Sequence, residues 1–119
     1  MDLKEARKFL GVTVSKTRYS AWAKRDLDFT IDIDYVMELY KKQNGKCALT
    51  GWDLEFTRGG TWDNGTNPRA ATMDRIWNSS GYVPGNVQLT CWMPNKVKGS
   101  LSNQKFIDMC KDIAKGEYV

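Results

Sequence analysis

Ala71-Thr-Met-Asp-Arg-Ile76, Asn86-Val-Gln-Leu-Thr-Cys91 and the Trp92-Met-Pro-Asn-Lys-Val-Lys-Gly99 that follows decide how this chain folds. The first two are short runs of apolar and β-branched residues. Gly81, Pro84 and Gly85 lie between them, so the pair reads as two strands joined by a wide connection. From about Met93 to Lys98 the residues suit a short helix, which Gly99 stops. The order is strand, loop, strand, helix.

Upstream of this unit, residues 57–70 are rich in turn formers and read as a long loop, a feature that often carries function in a small domain. Before it, Lys46-Cys-Ala-Leu-Thr-Gly51 reads as a short strand closed by a turn. A helix precedes that: Asp32 or Asp34 caps it, Tyr35, Val36, Leu39 and Tyr40 form its stripe, and Asn44-Gly45 ends it. Leu3, Ala6, Leu10 and Val14 recur at helical spacing and predict a first helix, with Gly11 and two β-branched residues weakening its end. Ser20-Ala-Trp-Ala-Lys-Arg25 either extends that helix or forms a second turn. Downstream, a last helix starts near Ser100 or Ser102, with Phe106, Ile107, Met109, Cys110 and Ile113 as its apolar face.

The 119 residues suffice for one domain, 1–119, divided into a helical part at 1–45, the strand–helix region at 46–99 and the last helix at 100–119. Hydrophobic residues at 41% and charged residues at 27% describe an ordinary globular chain. No apolar run approaches the roughly 18 residues of a membrane span. The opening residues mix charges without a hydrophobic stretch, so no signal peptide is expected and the expected compartment is the cytoplasm. A net charge of +4 suits an anionic partner such as nucleic acid. Lys16, Arg18, Lys24 and Arg25 face either such a partner or solvent.

Three cysteines leave an odd thiol in any disulfide scheme, and there is no histidine. A tetrahedral zinc cage of four Cys or His ligands therefore cannot be assembled, and every histidine-based mechanism is excluded. What remains for a metal is oxygen. Hard cations such as Mg²⁺ or Mn²⁺ need only one or two protein oxygens and keep several waters. Asp74 on the first strand and Asn95 on the short helix are the pair that a hairpin folded onto that helix brings together. Each alone reads equally as a surface or capping residue.

Cys47-Ala-Leu-Thr-Gly51, Met73-Asp-Arg-Ile76, Gly81-Tyr-Val-Pro-Gly-Asn-Val-Gln88, Cys91 and Asn95-Lys-Val-Lys98, in that order, resemble the phage and bacterial HNH endonucleases of the His-Me finger superfamily. The similarity runs from roughly Phe29 to Ala114, and the subgroup it resembles has Asp-Arg-Ile where better-known members have Asp-His-Ile. The resemblance implies an α+β fold, a ββα-metal finger flanked by N- and C-terminal helices. The activity it implies is metal-dependent hydrolysis of DNA, double-stranded DNA foremost, with Mg²⁺ or Mn²⁺ as cofactor and, for a phage protein, the host cytoplasm as location. Asp74 and Asn95 match the metal ligands. Arg75 falls where the water-activating histidine usually stands, and Asn86 matches the middle Asn that fixes the hairpin loop. Lys98 and its neighbour Lys96 are expected to meet phosphate. Apart from the resemblance, Tyr82 and Trp62 are the only aromatic residues whose place in predicted loops makes them candidates for touching DNA.

Two departures follow. Many relatives hold a zinc with paired Cys-x-x-Cys motifs, whereas Cys47 is followed by Thr50 and Cys91 by Pro94. No structural zinc is expected; Cys47 and Cys91 read as small buried groups, with Trp52, Leu54, Trp92 and the last helix packing the finger. Trp77 stands where the subgroup often has a second Asp, which removes a carboxylate from the metal or from Arg75. The water-activating base is also missing, because a guanidinium stays protonated above about pH 12. Arg75 suits a two-pronged grip on phosphate instead. Deprotonation falls to hydroxide, to a substrate oxygen, or to Asp53, Glu55 or Asp63. The competing readings are a catalytically inactive DNA-binding or inhibitory module, and an assembly protein whose basic patches meet an acidic partner.

Overall fold

The computed structural model describes residues 2–59 and 65–116. Helix α1 (Leu3–Lys24) begins at Asp2, whose carboxylate accepts the Glu5 amide at 3.1 Å. It runs unbroken through Gly11, so the segment 20–24 extends the first helix. The reason lies in packing. Ala6, Leu10, Val14 and Ala21 form one buried stripe, which outweighs the roughly 1 kcal/mol that a mid-helix glycine costs. The Thr13 and Thr17 hydroxyls donate to the carbonyls of Phe9 and Thr13, one turn back, which satisfies them inside the helix.

Helix α2 (Ile33–Lys42) is capped by Asp32, whose Oδ1 accepts the Tyr35 amide at 2.8 Å. Asn44 and Gly45 follow with φ of 57° and 70°, the left-handed turn that ends it. The strand expected at 46–51 is not formed. The Gly51 amide donates to the Cys47 carbonyl and closes a tight turn, and Lys46 makes only an isolated bridge with Asp53. The chain reverses too soon for a ladder.

Strands β1 (Ala71–Arg75) and β2 (Val87–Cys91) pair antiparallel, with Asp74 opposite Gln88 and Met73 opposite Leu89. Alternation along a strand divides the hairpin into two faces. Ala71, Met73, Val87, Leu89 and Cys91 join the core supplied by α1 and α2. Thr72, Asp74, Gln88 and Thr90 point to the other face, over which helix α3 (Trp92–Lys98) is laid. All of β2 is buried because both its faces are covered.

The hairpin loop is locked to the α1–α2 connection. The Tyr82 amide donates to the Asp28 carbonyl and the Thr30 amide to the Tyr82 carbonyl, at 2.9 and 3.0 Å. Gly81 sits so close that a Cβ there would stand 2.4 Å from the Asp28 carbonyl oxygen. Phe29 and Tyr82 pack ring to ring at 5.4 Å.

Helix α4 (Asn103–Lys115) is capped by Ser102. Its apolar face departs from expectation: Phe106 alone is buried, while Ile107, Met109, Cys110 and Ile113 are exposed. The last helix therefore adds little to holding the finger, whose core comes from α1, α2, Leu54 and partly buried Trp52, with Trp92 half-buried beside it. Tyr19, Trp22 and Trp77 are likewise exposed. Cys47 and Cys91 are buried in the core, as expected of small groups, and they also interact. The Cys91 amide donates to the Cys47 sulfur at 3.2 Å. Hydrogen bonding from the Cys91 side chain draws the Cys47 thiol down to about 5, and the same bond pushes the Cys91 thiol up.

Candidate active site

Asp74 lies on the α3 side of the hairpin, one residue before β1 ends. On α3, Asn95 and Lys98 are three residues apart and so share a helix face. These three, with Arg75, Tyr82, Asn78 and Arg25, line one small cavity of about 180 Å³. The two residues expected to hold a metal are thus brought to the same cavity.

Within it, Lys98 Nζ donates to Asp74 Oδ2 and to the Arg75 carbonyl, each at 2.9 Å. The pair is deeply buried, the Lys98 and Asp74 side chains keeping 1% and 7% of their surface. Gln88 Nε2 donates to the same Oδ2 at 2.8 Å and also to Asn103 Oδ1 at 2.9 Å, while Asn103 Nδ2 returns a bond to Gln88 Oε1. A chain of side chains thus runs from the start of α4 to the carboxylate. The other oxygen, Oδ1 of Asp74, accepts no hydrogen bond among the described residues, and neither does Oδ1 of Asn95, whose amide nitrogen makes only long contacts of 3.4 Å to Thr72 Oγ1 and the Met73 carbonyl. Two unspent oxygens in one polar cavity are donors of the kind that a hard divalent cation takes. Among the described residues no three His, Cys, Asp or Glu side chains cluster as metal ligands.

Arg75 is held by the loop that follows it. Its Nη1 donates to the carbonyls of Asn78 and Ser80 at 2.9 and 3.1 Å, and its Nη2 to Asn78 Oδ1 at 2.7 Å. Three of its five N–H groups are used, leaving two for a ligand. Asn86 keeps that loop in shape from behind the cavity: its Oδ1 accepts the Trp77 amide at 2.9 Å, and its Nδ2 donates to the carbonyls of Trp77 and Gly81. Trp77 itself points away, lining a separate hollow with Ser102 and Lys105. Lys96 is exposed beside a neighbouring depression lined by Thr72, Trp92 and Asn95. Tyr82 is buried against Phe29, so its ring has no free face for stacking on a base; its hydroxyl accepts from Arg25 Nη2 at 3.1 Å.

Of the carboxylates offered as bases, neither Asp53 nor Glu55 lines the cavity. Asp53 is paired with Lys46, whose hydrogen bond and charge hold its carboxyl below the usual carboxylate range. Glu55 accepts from Asn67 Nδ2 at 3.1 Å. Asp63 and Trp62 lie outside the described residues. Sequence reasoning missed Gln88, Asn103 and the placement of Arg25. Gln88 was within reach, because the hairpin register sets it directly opposite Asp74. Arg25 was not, because it arrives from the far end of α1.

A search of solved structures matches this architecture to the rare-cutting HNH restriction endonuclease PacI, with a TM-score of 0.62 over 87% of this chain and 75% of that one. The fold is HNH-like. At 21% sequence identity the likeness is one of fold, a hairpin plus short helix with flanking helices. No protein-family model matches the chain, and no curated protein matches its sequence. In this HNH-like fold the cavity lies where hairpin and α3 meet.

Proposed function

We propose that this chain is a metal-dependent DNA endonuclease of the Asp-Arg-Ile type, hydrolysing phosphodiester bonds at the Asp74–Asn95 cavity. The observation that carries the reading is the composition of that cavity: two oxygens free for a cation, and Arg25 and Arg75 around them for phosphate, the ammonium of Lys98 being spent on Asp74 rather than free for DNA. The likeness to PacI supports it. A Mg²⁺ or Mn²⁺ ion bound there would supply Lewis-acid stabilisation of the charge that builds on phosphorus and on the leaving oxygen. Arg75, its guanidinium already oriented by Asn78 and Ser80, presents two N–H groups to a phosphate. Asn86 acts as a positioning residue, because the loop it ties carries the carbonyls that hold Arg75. Gln88 and Lys98 fix which way the Asp74 carboxylate faces. Lys96 extends the basic rim for backbone contact, and double-stranded DNA is the substrate.

Plasmid nicking tests the reading. Wild type with Mg²⁺ or Mn²⁺ is expected to relax supercoiled DNA, and Asp74→Asn and Asn95→Ala are expected to lose this by at least about a hundredfold. Asp74→Ala is the poorer choice, since it leaves the Lys98 ammonium buried without its partner. Undiminished cleavage by both variants would remove the cavity from the chemistry. A second reading, a DNA-binding or inhibitory module without catalysis, is favoured by one observation: among the described residues no carboxylate besides Asp74 lines the cavity, and the chain has no histidine. It predicts salt-sensitive DNA binding with no cleavage in either metal.

A further inference from the structure

The charges around the cavity do not balance. Among the described residues Asp74 is the one carboxylate that lines it, and Lys98 already neutralises it. Arg25 and Arg75 then remain, and among the described residues neither takes part in an ion pair: Arg25 bonds the neutral Tyr82 hydroxyl, and Arg75 bonds carbonyl and carboxamide oxygens. The described lining residues therefore carry three positive charges and one negative, a net +2 around about 180 Å³. A divalent cation placed there would meet two guanidiniums and an ammonium with a single carboxylate to offset them. A phosphodiester meets the reverse, two guanidiniums left over once Lys98 and Asp74 have paired.

We infer that this site couples its two ligands, the DNA phosphate entering as the counter-anion of Arg25 and Arg75, and the divalent cation being held tightly once that phosphate is in place. Lys98 acts meanwhile as the resident cation that keeps the Asp74 carboxylate folded and oriented. The inference rests on the nuclease reading above for the identity of the metal site and adds the coupling between its two ligands. Linkage makes the coupling reciprocal, so the metal tightens DNA by the same factor as DNA tightens the metal. Arg25 becomes a specific contributor: it is exposed at the end of α1, makes no ion pair, and reaches the cavity from outside the ββα unit.

The test is Mn²⁺ affinity on the intact chain, read from the paramagnetic resonance signal of free Mn²⁺, with and without a 16-base-pair duplex and with the duplex alone subtracted. One Mn²⁺ per chain is expected to bind on the order of tenfold or more tighter when the duplex is present. Asp74→Asn is expected to remove that ion. Arg25→Gln leaves the buried pair untouched and lowers the charge by one; it is expected to bind Mn²⁺ severalfold tighter without DNA and DNA severalfold weaker without Mn²⁺. Equal Mn²⁺ affinity with and without duplex overturns the coupling, and if the plasmid is still cut the nuclease reading stands without it. An Arg25→Gln chain whose Mn²⁺ and DNA affinities both match wild type also overturns it. A DNA-dependent ion that Asp74→Asn abolishes, without cleavage by wild type, upholds the coupling and sinks the catalytic reading.

Discussion

Replacing Lys98 with methionine keeps the length of the side chain and deletes its ammonium, which makes it the cleanest probe of the buried pair. The ammonium bonds Asp74 Oδ2 and the Arg75 carbonyl at 2.9 Å each, and the pair is almost wholly shielded from water. In Lys98→Met the carboxylate keeps Gln88 as its remaining donor, and the Arg75 carbonyl loses a partner. Leaving one charge of a buried pair uncompensated costs about 3–5 kcal/mol, against a total stability of about 5–15 kcal/mol for a domain of this kind. At about 4 °C per kcal/mol the midpoint of thermal unfolding should fall by roughly 12–20 °C. Urea titration at two ionic strengths measures the loss directly, and it should barely change between 0.1 and 1 M salt, because a shielded pair is poorly screened. The double variant Asp74→Leu/Lys98→Met should recover most of the loss, to within about 1–2 kcal/mol of wild type. A Lys98→Met chain within about 1 kcal/mol of wild type would refute the reasoning, since the ammonium would then be contributing no more than an exposed lysine.

Three further outcomes follow from the same structure. Gly81→Ala drives a methyl group to 2.4 Å from the Asp28 carbonyl and must move backbone, so it should lower stability by about 2–4 kcal/mol in urea unfolding; a neutral substitution would mean the loop is not seated on the α1–α2 connection. Thr90 is fully buried and its hydroxyl has no hydrogen-bond partner among the described residues, so Thr90→Val should be neutral or stabilising by up to about 1 kcal/mol, and a loss above 1 kcal/mol would reveal an unseen partner for the hydroxyl. With Asp53 and Glu55 turned elsewhere, cleavage should accelerate steadily from neutral toward about pH 9 as hydroxide takes the role of base, and a maximum near neutrality would point to a protein base instead.

The local parts of the molecule were legible from the residues alone. Strand, wide loop, strand and short helix at 71–98 follow from alternation, Gly81, Gly85 and the Gly99 stop, and the cap at Asp32 and the stop at Asn44-Gly45 follow from side-chain and backbone chemistry. Asp74, Asn95 and Lys98 meet because a hairpin and the helix after it are neighbours in sequence as well as in space. Arg25 lies about fifty to seventy residues before them, so its arrival depends on how α1 crosses the hairpin, which no local pattern encodes. At Gly11 local propensity weakened the end of the first helix and a buried stripe outweighed it; at 46–51 an apolar run resembled a strand but lacked the length to pair. The α4 face was read correctly as amphipathic, yet periodicity says only that a helix has an apolar side and not that anything covers it.

The tie between Tyr82 and the Asp28–Thr30 segment has a consequence for what counts as the smallest working piece of this protein. A two-stranded hairpin is marginal in water on its own. Here its turn borrows two amide bonds and an aromatic partner from a stretch some fifty residues earlier. Excising 71–99 as a portable module would strip the Arg75 loop of its anchor and the cavity of Arg25 together. The helices that precede the finger are thus its mould as much as its neighbours.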